Sequence, residues 1–185
     1  MYHFLAHIPN IDFANINKVR EKFDPNFKYL DPHIAVLFPI DDSISEPMLI
    51  DHIQGILRTE KSFNIQLDEL TKSWDHYLYL EINEGRKEII RLHDSLYSGL
   101  LEKYWFKNIK YQPHISLGFF AERQAKFDMS DINDIKFYDK NYHTAMNLVT
   151  DLNLKYTTKF DKLSLIRRED KQSPGIIVKE FKLLD

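Results

Sequence analysis

Two similar heptapeptides contain the residues of this chain that are best suited to chemistry. They cover residues 32–38 and 113–119, and they share Pro, His, Ile and Phe at matching positions. Their histidines, His33 and His114, stand 81 positions apart in a chain of 185 residues. We therefore expect two equivalent strands, one in each of two lobes, with the imidazoles facing each other across a cleft.

The residues around each histidine predict an open face for a ligand. Alternate side chains of a strand share a face, and those predicted on the His faces are mostly small: Ala35 and Leu37 beside His33, and Ser116 and Gly118 beside His114. The opposite faces are predicted to be core: Ile34, Val36 and Phe38, and Ile115, Leu117 and Phe119. A single strand histidine is usually structural. A duplicated Pro-His-Ile strand with an open His face is hard to explain by packing, so the pair indicates function.

A pair of opposed histidines suits the cleavage of a phosphodiester. In-line attack needs a base for the attacking oxygen and an acid for the leaving oxygen on the far side. Imidazole, with an ordinary pKa of about 6.5, can take either role near neutral pH. The hydroxyl of Ser116 can donate a hydrogen bond to a non-bridging phosphate oxygen. No metal is required, and the other six histidines show no metal-ligand spacing.

Composition limits the partners and the compartment. The net charge is −3, with acidic and basic residues mixed along the chain. This argues against binding of long nucleic acid through many phosphate contacts. A short nucleotide end needs only a few local charges. The absence of cysteine removes disulfides and thiolate nucleophiles and fits a reducing compartment, so we expect a cytoplasmic protein. The N-terminus lacks a signal-peptide pattern, and no apolar stretch approaches the ~20 residues of a membrane span.

Hydrophobic periodicity and turn residues predict alternating strands and helices. The predicted strands cover residues 2–8, 33–38 (ended by Pro39), 63–70, 76–82, 114–120, 154–168 and 176–184. The predicted helices run from Asn10 or Asp12 to Phe23, over 45–57, over 86–104 and over 142–152, with a helical turn at 121–127. The order of elements after each Pro-His strand repeats, which places Trp74 in the first half and Arg167 and Arg168 in the corresponding stretch of the second lobe.

At these residues the sequence resembles the 2H phosphoesterase superfamily, which includes 2′-5′ RNA ligase-like proteins and cyclic phosphodiesterases. Its hallmark is two His-x-Thr/Ser motifs, each followed by an apolar residue, and residues 33–36 and 114–117 correspond to them. The similarity looks closest to small bacterial members. The resemblance implies an α+β fold of two pseudo-twofold-related α/β lobes, with antiparallel sheets lining a central cleft. Residues 1–185 would form a single bilobal domain.

The resemblance also implies a chemistry. His33 and His114 would carry acid–base catalysis on a 2′,3′-cyclic phosphate or a 2′-5′ linkage, and Ser116 would hold a phosphate oxygen. The implied partner is a nucleotide or a short RNA-end phosphoester. No cofactor, no metal and no membrane are implied, and a monomer is preferred although the oligomeric state stays open.

The sequence departs from the family pattern at Ala35, where a Thr or Ser is expected. Alanine has no hydroxyl, and a removed oxyanion donor costs on the order of 10²–10³ in rate. Three interpretations follow: a neighbouring donor replaces the hydroxyl; the enzyme is slow or prefers another phosphoester; or the cleft binds a nucleotide or RNA end without turnover. A more distant alternative is an interaction protein with a vestigial cleft.

Two further positions are candidate substrate-binding residues. Trp74 lies in a polar loop, where its ring could stack on a base, although a ring that covers a sheet edge would look the same in sequence. Arg167 and Arg168 alternate faces on a predicted strand, so one of them could bind phosphate from the cleft. Of the two, Arg167 is the predicted ligand.

Overall fold

The computed structural model describes residues 1–126 and 129–185, which form two antiparallel sheets and four α-helices. The strands are β1 (Tyr2–His7), β2 (Ile34–Asp41), β3 (Phe63–Lys72), β4 (Tyr77–Ile82), β5 (His114–Phe119), β6 (Tyr156–Phe160), β7 (Lys162–Arg168) and β8 (Ile176–Lys182). The α-helices are α1 (Ala14–Phe23), α2 (Glu46–Leu57), α3 (Arg86–Leu96) and α4 (Asp139–Leu152). Short 3₁₀ helices cover Gly99–Tyr104 and Ile132–Asp134.

The two sheets have the same plan. One has the strand order β2-β1-β7-β8 and the other the order β5-β4-β3-β6. In each, the strand that carries the histidine motif is an edge strand. Its neighbour is the strand that precedes it in sequence across a helix, as in β1–α1–β2 and β4–α3–β5. This plan places both histidine motifs at equivalent positions of their sheets.

The sheets do not follow the two halves of the chain. Strands β3 and β4, which carry the Trp74 loop between them, belong to the sheet of the His114 strand, where β4 pairs with β5 and β3 pairs with β4. Strand β7, which carries Arg168, pairs with β1 in the sheet of the His33 strand. The prediction that Arg167 and Arg168 belong to the second lobe is therefore wrong. The reason is that β1 is central and forms ladders on both of its edges, with β2 on one side and β7 on the other.

Several predicted elements end at different residues. Strand β2 continues through Pro39 to Asp41, which an edge strand tolerates because its outer edge needs no N–H. The helix predicted over 86–104 ends at Leu96 and is followed by a 3₁₀ helix from Gly99, whose φ is +51°. Residues 121–126 form a bridge and bends instead of a helical turn, and Phe127 lies outside the described residues. Within the part that the structure describes, no helix is long and apolar enough to cross a membrane.

A β-bulge occurs at the same place in both histidine strands. Val36 is the extra residue between the Ala35 and Leu37 pairs with β1, and Leu117 is the extra residue between the Ser116 and Gly118 pairs with β4. A bulge changes which residues share a face. Leu37 is therefore fully buried, while Phe38 lines the cleft.

The faces predicted for the second halves of these strands are accordingly wrong. In β5, Gly118 packs against α1 and the Phe120 ring, whereas the Phe119 ring contacts Tyr77, a residue of the cleft wall, at 4.7 Å. The predicted faces hold at the first positions of each motif. His33, Ala35, His114 and Ser116 all line the cleft.

The main buried cluster draws its side chains from both sheets and from the helices that cover them. Its fully buried members include Leu5 and Leu37 from one sheet, Leu80 and Ile115 from the other, and Ile16 from α1. Burial of aliphatic side chains of this size contributes roughly 1.5–3 kcal/mol each. This shared core fixes the two histidine strands relative to each other.

The close packing around Gly118, next to the bulge of β5, predicts that a larger residue at this position is destabilising. A Cβ at Gly118 would lie 2.7 Å from both the Phe120 ring and the Phe23 Cβ. Gly118→Ala should therefore lower the free energy of unfolding by about 1–3 kcal/mol, because overpacking forces neighbours to move. Gly55→Ala is the matched control, since nothing beyond its own helix lies within 4 Å of the added methyl, and it should stabilise by about 0.5–1 kcal/mol. Urea unfolding of both variants checks this, and equal effects would contradict it.

Candidate active site

Each histidine is anchored by the residue two positions before it. The Nδ1 atom of His33 lies 2.7 Å from the Asp31 carbonyl oxygen, and the Nδ1 atom of His114 lies 2.5 Å from the Gln112 carbonyl oxygen. A carbonyl only accepts a hydrogen bond, so Nδ1 carries the proton in both rings. The other nitrogen, Nε2, is then the basic atom of each neutral imidazole.

The repeated proline explains this anchor. Asp31 and Gln112 each stand immediately before the proline of the motif, and the residue before a proline is held in an extended conformation. Each of these carbonyls meets the imidazole two residues later. The Pro-His dipeptide thus fixes the tautomer and the orientation of the ring with backbone geometry alone. The repeat is visible in the sequence, but the role of its proline is visible only in the structure.

The two imidazoles share one environment. Both line the cleft, and a positive charge on His33 would lower the pKa of His114 by repulsion. Desolvation is the main cause of the shifts: it lowers the pKa of His33, and it lowers the pKa of His114 to about 4. Hydrogen bonds to the anchoring carbonyls oppose this in part. Both rings are therefore neutral at pH 7 in the free protein.

Aromatic rings pack against both histidines. The ring of Tyr79 stacks on His114 with 3.4 Å between centroids and 16° between planes. The ring of Phe4 lies 5.5 Å from His33. These contacts limit rotation of each imidazole about its side-chain bonds, so they support the orientation set by the carbonyl anchors. The alternation of side chains along β4 and β1 indicates that Tyr79 and Phe4 face the cleft. Only the strand register shows which ring contacts which histidine.

The cleft between the sheets has a volume of about 570 Å³. The first sheet contributes His33, Ala35, Phe38 and Arg168, and the second contributes His114 and Ser116. Trp74, in the loop between β3 and β4, also lines it. A cleft of this size and mixed polarity is typical of sites for small organic ligands.

The structure brings four of the five predicted site residues together: His33, His114, Ser116 and Trp74. Arg167 lies elsewhere. Its Nη1 donates a hydrogen bond to the Glu46 carboxylate at 3.1 Å, under the first turn of α2. The neighbouring Arg168 lines the cleft instead. Strand alternation predicts that only one of the two arginines faces the cleft, but choosing between them requires the register of β7 against β1.

One contact joins the loops of the two sheets beside the cleft. Lys171, in the loop between β7 and β8, donates a hydrogen bond to the Gln124 side-chain oxygen at 2.7 Å. Gln124 in turn donates to the Tyr77 hydroxyl at 2.6 Å. These side chains connect the end of one sheet to the wall of the other. Among residues 1–126 and 129–185, no three His, Asp or Glu side chains are grouped as a metal site requires.

Comparisons with known proteins agree with this architecture. A family model described as the 2′-5′ RNA ligase superfamily matches residues 9–172. A Bacillus licheniformis protein named "Putative phosphoesterase" is 23% identical over 141 residues, which are 71% of this chain and 76% of that protein.

Solved structures show the same fold. E. coli LigT complexed with 3′-AMP aligns with a TM-score of 0.59 and 16% identity, over 100% of this chain and 98% of that chain. The Thermus thermophilus protein TT0787 aligns with a TM-score of 0.58 and 15% identity, over 99% and 98% of the two chains. These likenesses confirm the predicted α+β class with two antiparallel sheets. Because the family model spans most of the sequence, including both histidine motifs, the chain belongs to the 2′-5′ RNA ligase superfamily.

Proposed function

We propose that this protein is a phosphoesterase that acts on a nucleotide or RNA-end phosphodiester, such as a 2′,3′-cyclic phosphate or a 2′-5′ linkage. His33 and His114 are its general acid and base. The observation that carries the proposal is the equivalent anchoring of both imidazoles, each through Nδ1 to a backbone carbonyl, on strands that line one cleft.

This anchoring suits both catalytic roles. A neutral ring held through Nδ1–H accepts a proton at Nε2, and a protonated ring in the same orientation donates from Nε2. In hydrolysis of a cyclic phosphate, one histidine removes a proton from the attacking water as its oxygen bonds to phosphorus. The other donates a proton to the ribose oxygen whose bond to phosphorus breaks. The step needs no cofactor or metal to balance its protons.

The walls of the cleft fit a nucleotide. The Ser116 hydroxyl can donate to a phosphate oxygen beside His114, and the Trp74 ring offers a surface for a base. Structures of the fold relative E. coli LigT include complexes with 3′-AMP and with ATP. These complexes support, for this chain, a ligand that combines a base with a phosphoester.

Ala35 favours a second candidate function, in which the cleft binds a nucleotide or an RNA end without turnover. The residue lines the cleft at the position equivalent to Ser116 but has no hydroxyl. The transition state then lacks one stabilising donor, while much of the binding surface remains.

Substitution of the histidines tests the proposed enzyme. His33→Ala and His114→Ala should each lower kcat for 2′,3′-cyclic AMP by about 10²–10⁴, the usual contribution of a positioned acid or base. EDTA should leave wild-type turnover unchanged. His143→Ala is the matched control, because this exposed histidine on α4 pairs with the exposed Asp139 and lies outside the cleft. The measurement is the initial rate of ring opening.

The outcomes separate the candidate functions. If both alanine variants keep the turnover of wild type, that result would contradict the roles of His33 and His114 as general acid and base. Binding of the cyclic nucleotide without turnover would favour the binding module. Neither binding nor turnover would favour an interaction protein with a vestigial cleft.

The lowered histidine pKa values predict an acidic optimum for kcat/KM. The reactive form needs one neutral and one protonated imidazole, and kcat/KM reports the pKa values of the free enzyme. Burial lowers the pKa of both rings, to about 4 for His114. As pH rises above both values the protonated acid is lost, so kcat/KM should peak below pH 6.5 and fall towards pH 8. A pH profile of kcat/KM for 2′,3′-cyclic AMP that peaks above pH 7 would contradict this.

Trp74 is predicted to bind the base. Trp74→Ala should raise KM for 2′,3′-cyclic AMP by roughly 10- to 100-fold with little change in kcat, because base stacking contributes about 1–3 kcal/mol. Glycerol 1,2-cyclic phosphate has no base and serves as the control substrate, so its KM should not change. Equal effects on the two substrates would show that Trp74 supports the fold of the loop instead.

A further inference from the structure

Arg168 is a buried cation that has no ion-pair partner in the described part of the chain. Its residue is 4% exposed, and it lines the cleft. Its hydrogen bonds go to neutral oxygens: the Ser173 carbonyl at 2.8 Å, the Lys171 carbonyl, and the Asn26 side chain at 3.3 Å. By contrast, the equally buried Arg20 pairs with Asp24 at 2.8 Å.

The bonding pattern of Arg168 leaves at least one donor for a ligand. A guanidinium carries five N–H groups, and the three bonds use Nε and one N–H on each of the terminal nitrogens. The Tyr2 hydroxyl also accepts a hydrogen bond from the guanidinium, and an anionic oxygen is a stronger acceptor than this neutral phenol. An unused N–H of the guanidinium can donate a charge-assisted hydrogen bond to an oxygen of a phosphate or carboxylate. The Asp170 carboxylate is near enough for the charge of Arg168 to help lower its pKa, but it makes no direct ion pair with the guanidinium. A buried charge without a direct partner is costly, so this arrangement favours an anionic ligand.

The strand register places Arg168 close to the ring that contacts His33. On the cleft face, Arg168 is in register with Tyr2, and Ile166 is in register with Phe4. The Phe4 ring is the one that contacts His33. Two residues along a strand span about 7 Å, so the Arg168 backbone lies one same-face step from the row beside His33. An arginine side chain can span this distance. Burial is the main cause of the lowered pKa of His33, and the positive charges of Arg20 and Arg168 add to it.

Neighbouring groups hold the guanidinium in place. The rings of Tyr2 and Tyr29 lie 6.0 and 5.8 Å from its central carbon, which is within cation–π range. Arg20 also faces the cleft, but its charge is used by Asp24 and its Nη2 donates to the Leu30 carbonyl. Of these two buried arginines, Arg168 is the one that makes no ion pair with a carboxylate of the described residues, so it is the one that can pair with an anionic ligand.

We propose that Arg168 binds the phosphate on which His33 and His114 act, and so replaces the hydroxyl that is missing at Ala35. The inference rests on the proposed function for the identity of the reacting group. Arg168 stabilises the negative charge on the non-bridging oxygens from the His33 side, while Ser116 does so from the His114 side. The substrate must therefore present at least one anionic phosphate at the junction of the two sheets.

Kinetics of three variants test the proposal. Arg168→Gln should lower kcat by about 10²–10³, the usual cost of a removed oxyanion donor. Arg168→Lys keeps the positive charge but loses the planar guanidinium, so its kcat should lie between those of wild type and Arg168→Gln. Arg167→Gln is the matched control, because this neighbour faces α2 and bonds Glu46. Folded Arg168→Gln protein with kcat within about threefold of wild type would overturn the proposal. If Arg168→Gln does not fold, Arg168→Lys decides: wild-type kcat overturns the proposal, and a loss of about tenfold or more supports it.

Binding of inorganic phosphate separates this inference from the proposed function, because it needs no turnover. By titration calorimetry, wild type and Arg167→Gln should bind phosphate, and Arg168→Gln should bind at least about tenfold more weakly. Equal binding by Arg168→Gln would overturn the inference even if cyclic phosphates are hydrolysed. Arg168-dependent binding without any hydrolysis would support the inference while the proposed function fails.

A second substitution tests the replacement of the hydroxyl. Ala35→Ser should raise kcat more in the Arg168→Gln background than in wild type, because the two donors would serve the same phosphate. A merely structural role of Arg168 would leave the two gains equal, and that result would overturn the proposed replacement.

Discussion

The hydrogen bond from each histidine Nδ1 to a pre-proline carbonyl is the interaction on which the site depends. It selects one tautomer, fixes the plane of the ring and leaves Nε2 as the basic nitrogen. It does so without a carboxylate, which is the usual orienting group for a catalytic histidine. A carboxylate at Nδ1 would raise the imidazole pKa, whereas a neutral carbonyl does so less. The anchor therefore permits two histidines to lie in one buried cleft with both rings neutral in the free protein.

The rest of the fold holds these two anchors in the same relation to the cleft. Each histidine strand is an edge strand whose inner neighbour precedes it across a helix. Each has a bulge three residues after its histidine, at Val36 and at Leu117. The bulge turns Leu37 and Gly118 into the core and leaves Phe38 and Phe119 on the other side. Because both strands have this feature, each sheet presents its imidazole, a small residue and an aromatic ring in the same order.

The sequence predicted the parts of this arrangement that depend on local pattern. Repetition identified His33 and His114, and alternation placed Ala35 and Ser116 beside them. The bulges were not predictable, because a bulge is set by pairing with a strand that is distant in sequence. For the same reason, alternation could not choose between Arg167 and Arg168. Pairing of β7 with β1 decides it, since it turns Arg168 towards Tyr2 and the cleft and Arg167 towards His3 and α2. The assignment of strands to sheets also depends on these long-range ladders, and sequence order alone gave the wrong lobe for β7.

The electrostatics of the cleft connect binding to catalysis under the proposed mechanism. In the free protein burial is the main cause that lowers the pKa of both rings. The charges of Arg20 and Arg168 lower the pKa of His33 further, and a charge on His33 would lower that of His114, so both rings are neutral. A phosphodiester brings a negative charge into this low-dielectric space, where charges interact far more strongly than in water. That charge offsets Arg168 and raises the pKa of both imidazoles, which favours protonation of one of them. The substrate would thus help to create the general acid that its own leaving group requires. Two histidine motifs that are alike in sequence then become unequal in role, because one has the Ser116 hydroxyl beside it and the other has the charge of Arg168.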